Sequence, residues 1–209
     1  MTKYNKYQDY VIKDGKLIGE FEAMYKDYED PWEQSTREEY AIEKLIGIEL
    51  LSKYGHQKPL EFGCGFGNYT QKLYERFGMG GGVDISETAI KKAKQKFPDP
   101  TFFSGDILDR KIIENFKPDC ILFVEITWYV LEKLEAFKEM ITHTSKGCGF
   151  LHTLMTYGSG EQKYGVEYFT NLEEIKKYWS DTIEISDWGN IGNRDYNGGN
   201  RTFFYGKIK

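Results

Sequence analysis

The chain lacks the features that mark several protein classes. Its three cysteines, Cys64, Cys120 and Cys148, stand far apart with no C-x-x-C spacing. That excludes a disulfide framework or a thiolate zinc site and points to buried thiols in a reducing compartment. The three histidines, His56, His143 and His152, form neither H-x-x-H nor H-E-x-x-H, and no metal is expected. No lysine- or arginine-rich block interrupts a chain of 28 basic and 33 acidic residues, net charge −5, so a duplex nucleic acid would find no electrostatic footprint. The longest apolar run, around Cys120 to Val124, is far too short to cross a membrane. Met1-Thr2-Lys3-Tyr4 lacks the apolar core of a signal peptide, and no internal repeat is present. A cytoplasmic chain is expected, and 209 residues suffice for one domain with a small appendage.

What the chain does have is a glycine-rich bend, Leu60-Glu61-Phe62-Gly63-Cys64-Gly65-Phe66-Gly67-Asn68, followed at some distance by Val83-Asp84-Ile85. A short apolar strand runs into three alternate glycines, then a helix, a second strand and an acid. Glycine admits positive φ and lets a ligand approach bare main chain. A carboxylate at Asp84 suits the paired hydroxyls of a ribose. The dinucleotide pattern G-x-G-x-x-G would need glycine at Asn68, so it fails. The pattern that stands is Glu61-x-Gly63-x-Gly65-x-Gly67, whose leading carboxylate would attract a cation.

Around this bend the periodicity predicts alternating strands and helices. Tyr10 to Ile18 reads as a hairpin about Asp14-Gly15, a flap or an oligomer contact. Phe21, Met24, Tyr25 and Tyr28 follow at helical spacing, then Pro31 and Trp32, in an aromatic lid segment. Ser35-Thr36-Arg37-Glu38 fits a capping box, with Ala41, Leu45, Ile48 and Leu51 as the apolar stripe of a helix to about Lys53. Later strands are expected at Gly80–Asp84, Thr101–Ser104, Asp119–Val124, Gly147–Leu154, Thr182–Ser186 and Arg201–Gly206, the first of these loosened by its glycines. Helices lie between them; one is opened by Ser86 and another by a capping box at Thr170-Asn171-Leu172-Glu173. Asn197-Gly198-Gly199-Asn200 reads as a turn.

The segment from Leu60 to Leu154 resembles the class I S-adenosylmethionine (SAM) dependent methyltransferases. The resemblance implies a Rossmann-like α/β fold: a seven-stranded, mostly parallel sheet with one antiparallel strand and helices on both faces. Residues 1–35 would form a hairpin and lid, and 36–209 the methyltransferase domain. It implies SAM as cofactor, released as S-adenosylhomocysteine (SAH), against Glu61, Gly63, Cys64, Gly65, Gly67, Asp84, Ile85, Asp106, Ile107 and Glu125. Relatives often carry a histidine four residues after the acid at Glu125; Tyr129 stands there instead, so a histidine base does not carry over. The N-terminal segment and Tyr164 to Asn171 resemble a narrower group, bacterial nodulation-factor-like and capsule-cluster methyltransferases.

That resemblance implies O- or N-methylation of a small polar acceptor such as a sugar, nucleotide sugar or phosphorylated intermediate. Tyr25, Tyr28, Trp32, Trp128 and Tyr164 are candidate acceptor contacts, aromatic groups with polar tips. His152 and Tyr129 are candidate catalytic groups, with His152 also reading as a core histidine. No Asn/Asp-Pro-Pro-aromatic tetrad, Pro-Cys nucleophile or carboxylate cluster accompanies them, which disfavours nucleobase and metal-dependent catechol acceptors. Two alternatives stay open: an RNA or protein side-chain methyltransferase, and a SAM-binding regulatory module without turnover. Neither nucleic acid nor membrane is expected as a partner; a homodimer is possible.

Overall fold

The structure, a computed structural model, describes residues 2–34, 41–157, 163–192 and 200–209. Within these, β1 (Ile12–Lys13) and β2 (Lys16–Leu17) form a small hairpin, α1 is Phe21–Asp27, and α2 is Ile42–Lys53. Then follow β3 (Pro59–Phe62), α3 (Asn68–Phe77), β4 (Gly81–Asp84), α4 (Glu87–Lys96), β5 (Thr101–Ser104) and α5 (Arg110–Phe116). β6 (Cys120–Val124), α6 (Leu134–Thr144), β7 (Gly149–Thr156), α7 (Leu172–Trp179), β8 (Ile183–Gly192) and β9 (Asn200–Ile208) complete the order.

One sheet of seven strands runs β5-β4-β3-β6-β7-β9-β8. β9 slots between β7 and β8, antiparallel to both, while the other neighbours pair in parallel. The expected Rossmann-like sheet, with its single reversed strand and helices on both faces, is the observed one. Alternation sorts the central strands between two layers. Ile121 and Phe123 of β6 pack with Phe137 and Ile141 of α6. Cys120, Leu122 and Val124 face Leu51 of α2 and Leu73 of α3. The chain leaves β3 toward β4 on one side and returns to β6 on the other. A crevice therefore opens at the carboxyl ends of β3 and β6, where such sheets bind ligands.

Several sequence expectations shift in detail. Asp14 (φ 51°) and Gly15 (φ 72°) take the paired positive φ of a primed hairpin turn, as Asp-Gly predicts. Leu45 does not belong to the buried stripe of α2; it is 46 % exposed, while Ile48 and Leu51 are buried. The cap of α7 is Asn171, whose side chain accepts from the Glu174 N–H, one residue later than the predicted box. Glu174 in turn reaches past the cap to accept the Thr170 N–H and hydroxyl, so the closing bond falls one residue before the cap. Nor do the β4 glycines loosen that strand. A Cβ on Gly81 would strike Leu60 and Phe116, and one on Gly82 would strike Thr70 and Cys64, so both glycines are demanded by close packing. The box at Ser35-Thr36-Arg37-Glu38, the turn at 197–199 and part of the Tyr157–Tyr168 loop lie outside the described residues.

Candidate active site

The bend after β3 is built from three glycines in the left-handed region: Gly63 (φ 74°), Gly65 (φ 53°) and Gly67 (φ 76°). Asp84, at the end of the adjacent strand, ties the bend down. One of its oxygens accepts the Gly65 N–H at 2.9 Å and the other the Ser86 N–H at 2.9 Å. Burial pushes the Asp84 carboxyl up to about 6, against the pull of those N–H groups. Each oxygen keeps a lone pair for a further donor. Glu61 is buried on β3 and accepts the Thr70 hydroxyl at 2.5 Å.

A cavity of about 530 Å³ opens from this bend. On the β3–β5 side its lining includes Glu61, Gly63, Asp84, Ile85, Asp106 and Ile107. Asp106 is ion-paired with Lys133, and Ile85 is exposed. On the β6–β7 side the same cavity meets Tyr25 and Trp32 of the N-terminal segment, Glu125, Trp128 and Tyr129. Tyr129 lies 5.6 Å from the rings of both Phe21 and Trp32. The Trp128 indole donates to the Met155 carbonyl, which fixes its plane. The cavity thus joins an acidic half to an aromatic half.

Other predicted residues sit elsewhere. The Cys64 side chain turns under the bend against Ile90, Ala93 and Phe102, and burial raises its thiol well above the ordinary range. Gly65 and Gly67 shape the loop but do not line the cavity: Gln34 and Tyr25 cover the former, and Phe102 packs on the latter. Tyr28 hydrogen-bonds the Tyr4 carbonyl, packs on Tyr7 and Tyr10, and does not face the cavity. Tyr164 lies against the α5–α7 layer. His152 is the clearest correction. Phe150, His152 and Leu154 share one face of β7, so the imidazole is fully buried beneath α7, stacked on Phe204 at 4.9 Å. Its Nε2 meets Thr127 Oγ1 at 2.8 Å, and burial lowers its pKa to about 3. A neutral core histidine with no access to the cavity is no general base for a ligand in it.

The cavity also holds side chains that the sequence reading passed over. Glu43 and Lys44 of α2, Arg201 of β9, Gln34 and Lys133 all line it. Glu43 is only 3 % exposed and meets Arg201 at 2.8 Å. The two are brought together by α2 packing beside β9, and a Glu within a helix of mixed charge carries no local signal of burial. Gln34 accepts the Phe66 N–H at 2.9 Å, spanning the glycine bend from the lid side.

Fold and site resemble those of the class I SAM-dependent methyltransferases, and residues 60–147 match the methyltransferase-domain family. The chain is 33 % identical over 84 residues to a trans-aconitate 2-methyltransferase of Acidovorax ebreus (strain TPSY), covering 37 % of this chain and 33 % of that protein. It is 23 % identical over 108 residues to a dTDP-3-amino-3,4,6-trideoxy-alpha-D-glucopyranose N,N-dimethyltransferase of Streptomyces venezuelae, covering 51 % and 46 %. The chain thus spans less than half of either relative's length in these matches. In three dimensions it resembles the N-methyltransferase NodS from Bradyrhizobium japonicum WM9 in complex with SAH, with a TM-score of 0.67 and 15 % identity over 87 % of this chain and 93 % of that one. At that identity the likeness concerns the fold.

Proposed function

We propose that the chain transfers a methyl group from SAM to an O or N nucleophile of a small polar metabolite, such as a sugar, nucleotide sugar or phosphorylated intermediate. The observation that carries this reading is the start of the glycine bend, where Gly63 meets the cavity with Glu61 and Asp84 beside it and the same cavity continues into an aromatic chamber. The residues fit the cofactor chemically. Asp84 has lone pairs for ribose hydroxyls, and Glu61 favours a ligand bearing a sulfonium and an ammonium. Ile85 and Ile107 offer apolar surface to a flat base. When bound, SAM supplies a methyl group made electrophilic by the adjacent sulfonium.

The protein's own share is alignment and exclusion of water, together worth roughly 7–11 kcal/mol of barrier. In this reading residues 1–35 act as the lid of a domain running over 36–209, and Tyr25, Trp32, Trp128 and Tyr129 shape the acceptor chamber. Both curated relatives are named for small polar acceptors, one a carboxylic acid and one an amino sugar nucleotide, and the net charge of −5 suits such acceptors better than a polyanion.

Calorimetric titration with SAM and SAH tests the cofactor half. The wild-type chain should bind both, and Asp84→Ala should lose roughly 1.5–3 kcal/mol, the value of a hydrogen bond to a charged acceptor. The wild-type affinity should also weaken below about pH 6, where Asp84 takes a proton. Equal affinity in the variant, or no binding by the parent, would end this reading.

A further inference from the structure

Glu125 is held at a cost that its surroundings do not explain structurally. It follows the last residue of β6 and is one of the few non-glycine residues with positive φ, at 60°. That conformation costs roughly 1–2 kcal/mol for a residue with a side chain, and such strain concentrates at functional positions. The twist turns the carboxylate toward β7 and into the cavity lining. One oxygen accepts the Met155 N–H at 2.8 Å; the other has the Thr153 hydroxyl, at the longer distance of 3.4 Å. The second oxygen therefore keeps capacity for another donor. Charged and titratable groups face it from each neighbouring element: Glu43 and Lys44 from α2, Arg201 from β9, and Tyr129 from the turn beyond β6. Glu43 is taken by Arg201 at 2.8 Å. Beside Glu125 the chamber wall is aromatic, with Tyr129 against Phe21 and Trp32, and Trp32 against Tyr7 at 5.1 Å. Ring faces and a carboxylate both favour a bound cation.

We propose that Glu125 is the proton acceptor of the transfer and that the nucleophile it serves is an amine, which enters the chamber as its ammonium. The proposal rests on the methyltransferase reading above. The N–H bond of the ammonium breaks and its proton goes to a Glu125 oxygen. The freed nitrogen lone pair forms the bond to the methyl carbon, while the carbon–sulfur bond breaks and its electron pair stays on sulfur. The product leaves as an N-methylated ammonium, and Glu125 returns its proton to solvent.

Proton affinity decides between amine and alcohol. Burial raises the Glu125 carboxyl to about 7. Ammonium groups titrate at about 7.7–10.4, close enough for a carboxylate of this basicity to share their proton. A hydroxyl resembles water, at about 15.7, and lies far above it. General-base assistance is most effective where the two are matched.

The test uses the full chain with SAM and a panel of simple amines, amino acids and amino sugars, each paired with its hydroxyl isostere, from about pH 5 to about pH 9 so as to bracket the ordinary and raised carboxyl ranges. SAH release is the rate readout, and SAH titration reads the cofactor site. Amine members should turn over, with kcat falling about tenfold per pH unit below about 7. Glu125→Gln should bind SAH within about twofold of the parent while losing about 10²–10⁴-fold in kcat. Glu125→Asp should recover part of that loss. The protein's infrared spectrum should carry a protonated-carboxyl component that titrates about one pH unit above that of Asp84 and is missing from Glu125→Gln, while the Asp84 component stays. Turnover confined to hydroxyl members, turnover on neither panel by a protein that binds SAM, near-parental kcat in Glu125→Gln, or SAH affinity falling as far as kcat would each overturn the proposal. Failure of the wild-type chain to bind SAM would instead overturn the methyltransferase reading.

Discussion

Gly63 and Gly147 share nearly the same φ, 74° and 79°, yet differ in what surrounds them. A Cβ on Gly63 would run into Ile126, whereas nothing lies within 4 Å of one on Gly147. Gly147→Ala should therefore lose only the left-handed penalty, roughly 1–2 kcal/mol. Gly63→Ala should lose that and a further 1–3 kcal/mol or so for overpacking, together with SAH affinity, because the bend must shift. Denaturant unfolding of both variants separates the two effects; equal losses would mean that Ile126 moves aside freely. The glycine requirement at this bend was legible from spacing. The identity of the obstructing residue was not, since Ile126 arrives from the turn beyond β6.

At the scale of elements, the docking of α1 turns on one side chain. Glu22 accepts the Ser86 hydroxyl at 2.6 Å, the Thr88 N–H at 3.1 Å and the Thr88 hydroxyl at 2.7 Å. It thereby places a carboxylate at the N-terminus of α4, where the helix dipole favours it. Burial pushes Glu22 up, and these hydrogen bonds outweigh it, holding the carboxyl at about 2. Its contribution is thus complete above about pH 4.5 and is lost as pH falls toward 2. Glu22→Ala should speed amide exchange across residues 21–27 by about tenfold or more, on the order of one charged hydrogen bond of about 1.5 kcal/mol. Protection of β3 and β6 should stay unchanged. Exchange rising equally in those strands would mean that α1 is part of the global core and not a separable cover. Sequence spacing located α1 through Met24 and Tyr25; its partner helix was invisible because Glu22 and Ser86 are 64 residues apart.

Across the whole molecule, two buried carboxyls at the cavity give stability an unusual pH dependence. Asp84 and Glu125 are both raised by burial, to about 6 and about 7. A raised acid binds its proton more tightly in the folded chain, so its contribution is fully present below the unfolded value and lost as pH rises through the folded one. The wild-type chain should lose stability between about pH 4 and about pH 7 from these two groups. Each pKa unit corresponds to 1.36 kcal/mol, so Glu125 alone accounts for up to roughly 3 kcal/mol. Glu125→Gln should unfold at a higher temperature than the parent at pH 8 and close to the parent at pH 5. A difference independent of pH would show that Glu125 titrates as an ordinary exposed carboxyl.

Local chemistry was enough to recover the alternating strands and helices, the glycine bend, Asp84 at the end of the next strand and the buried central strand. Each is encoded in residues a few positions apart, through backbone sterics, pleat alternation and turn preference. What required the tertiary structure was every relation between distant segments. His152 left the site because β7 presents its even-numbered residues to the α5–α7 layer. Glu43 and Arg201, 158 residues apart, entered the cavity because α2 packs beside β9. Glu125 became a strained, half-satisfied carboxylate only through its contacts with Met155 and Thr153. Burial sets these charges, and burial is a property of the packed chain, which no single stretch of sequence carries.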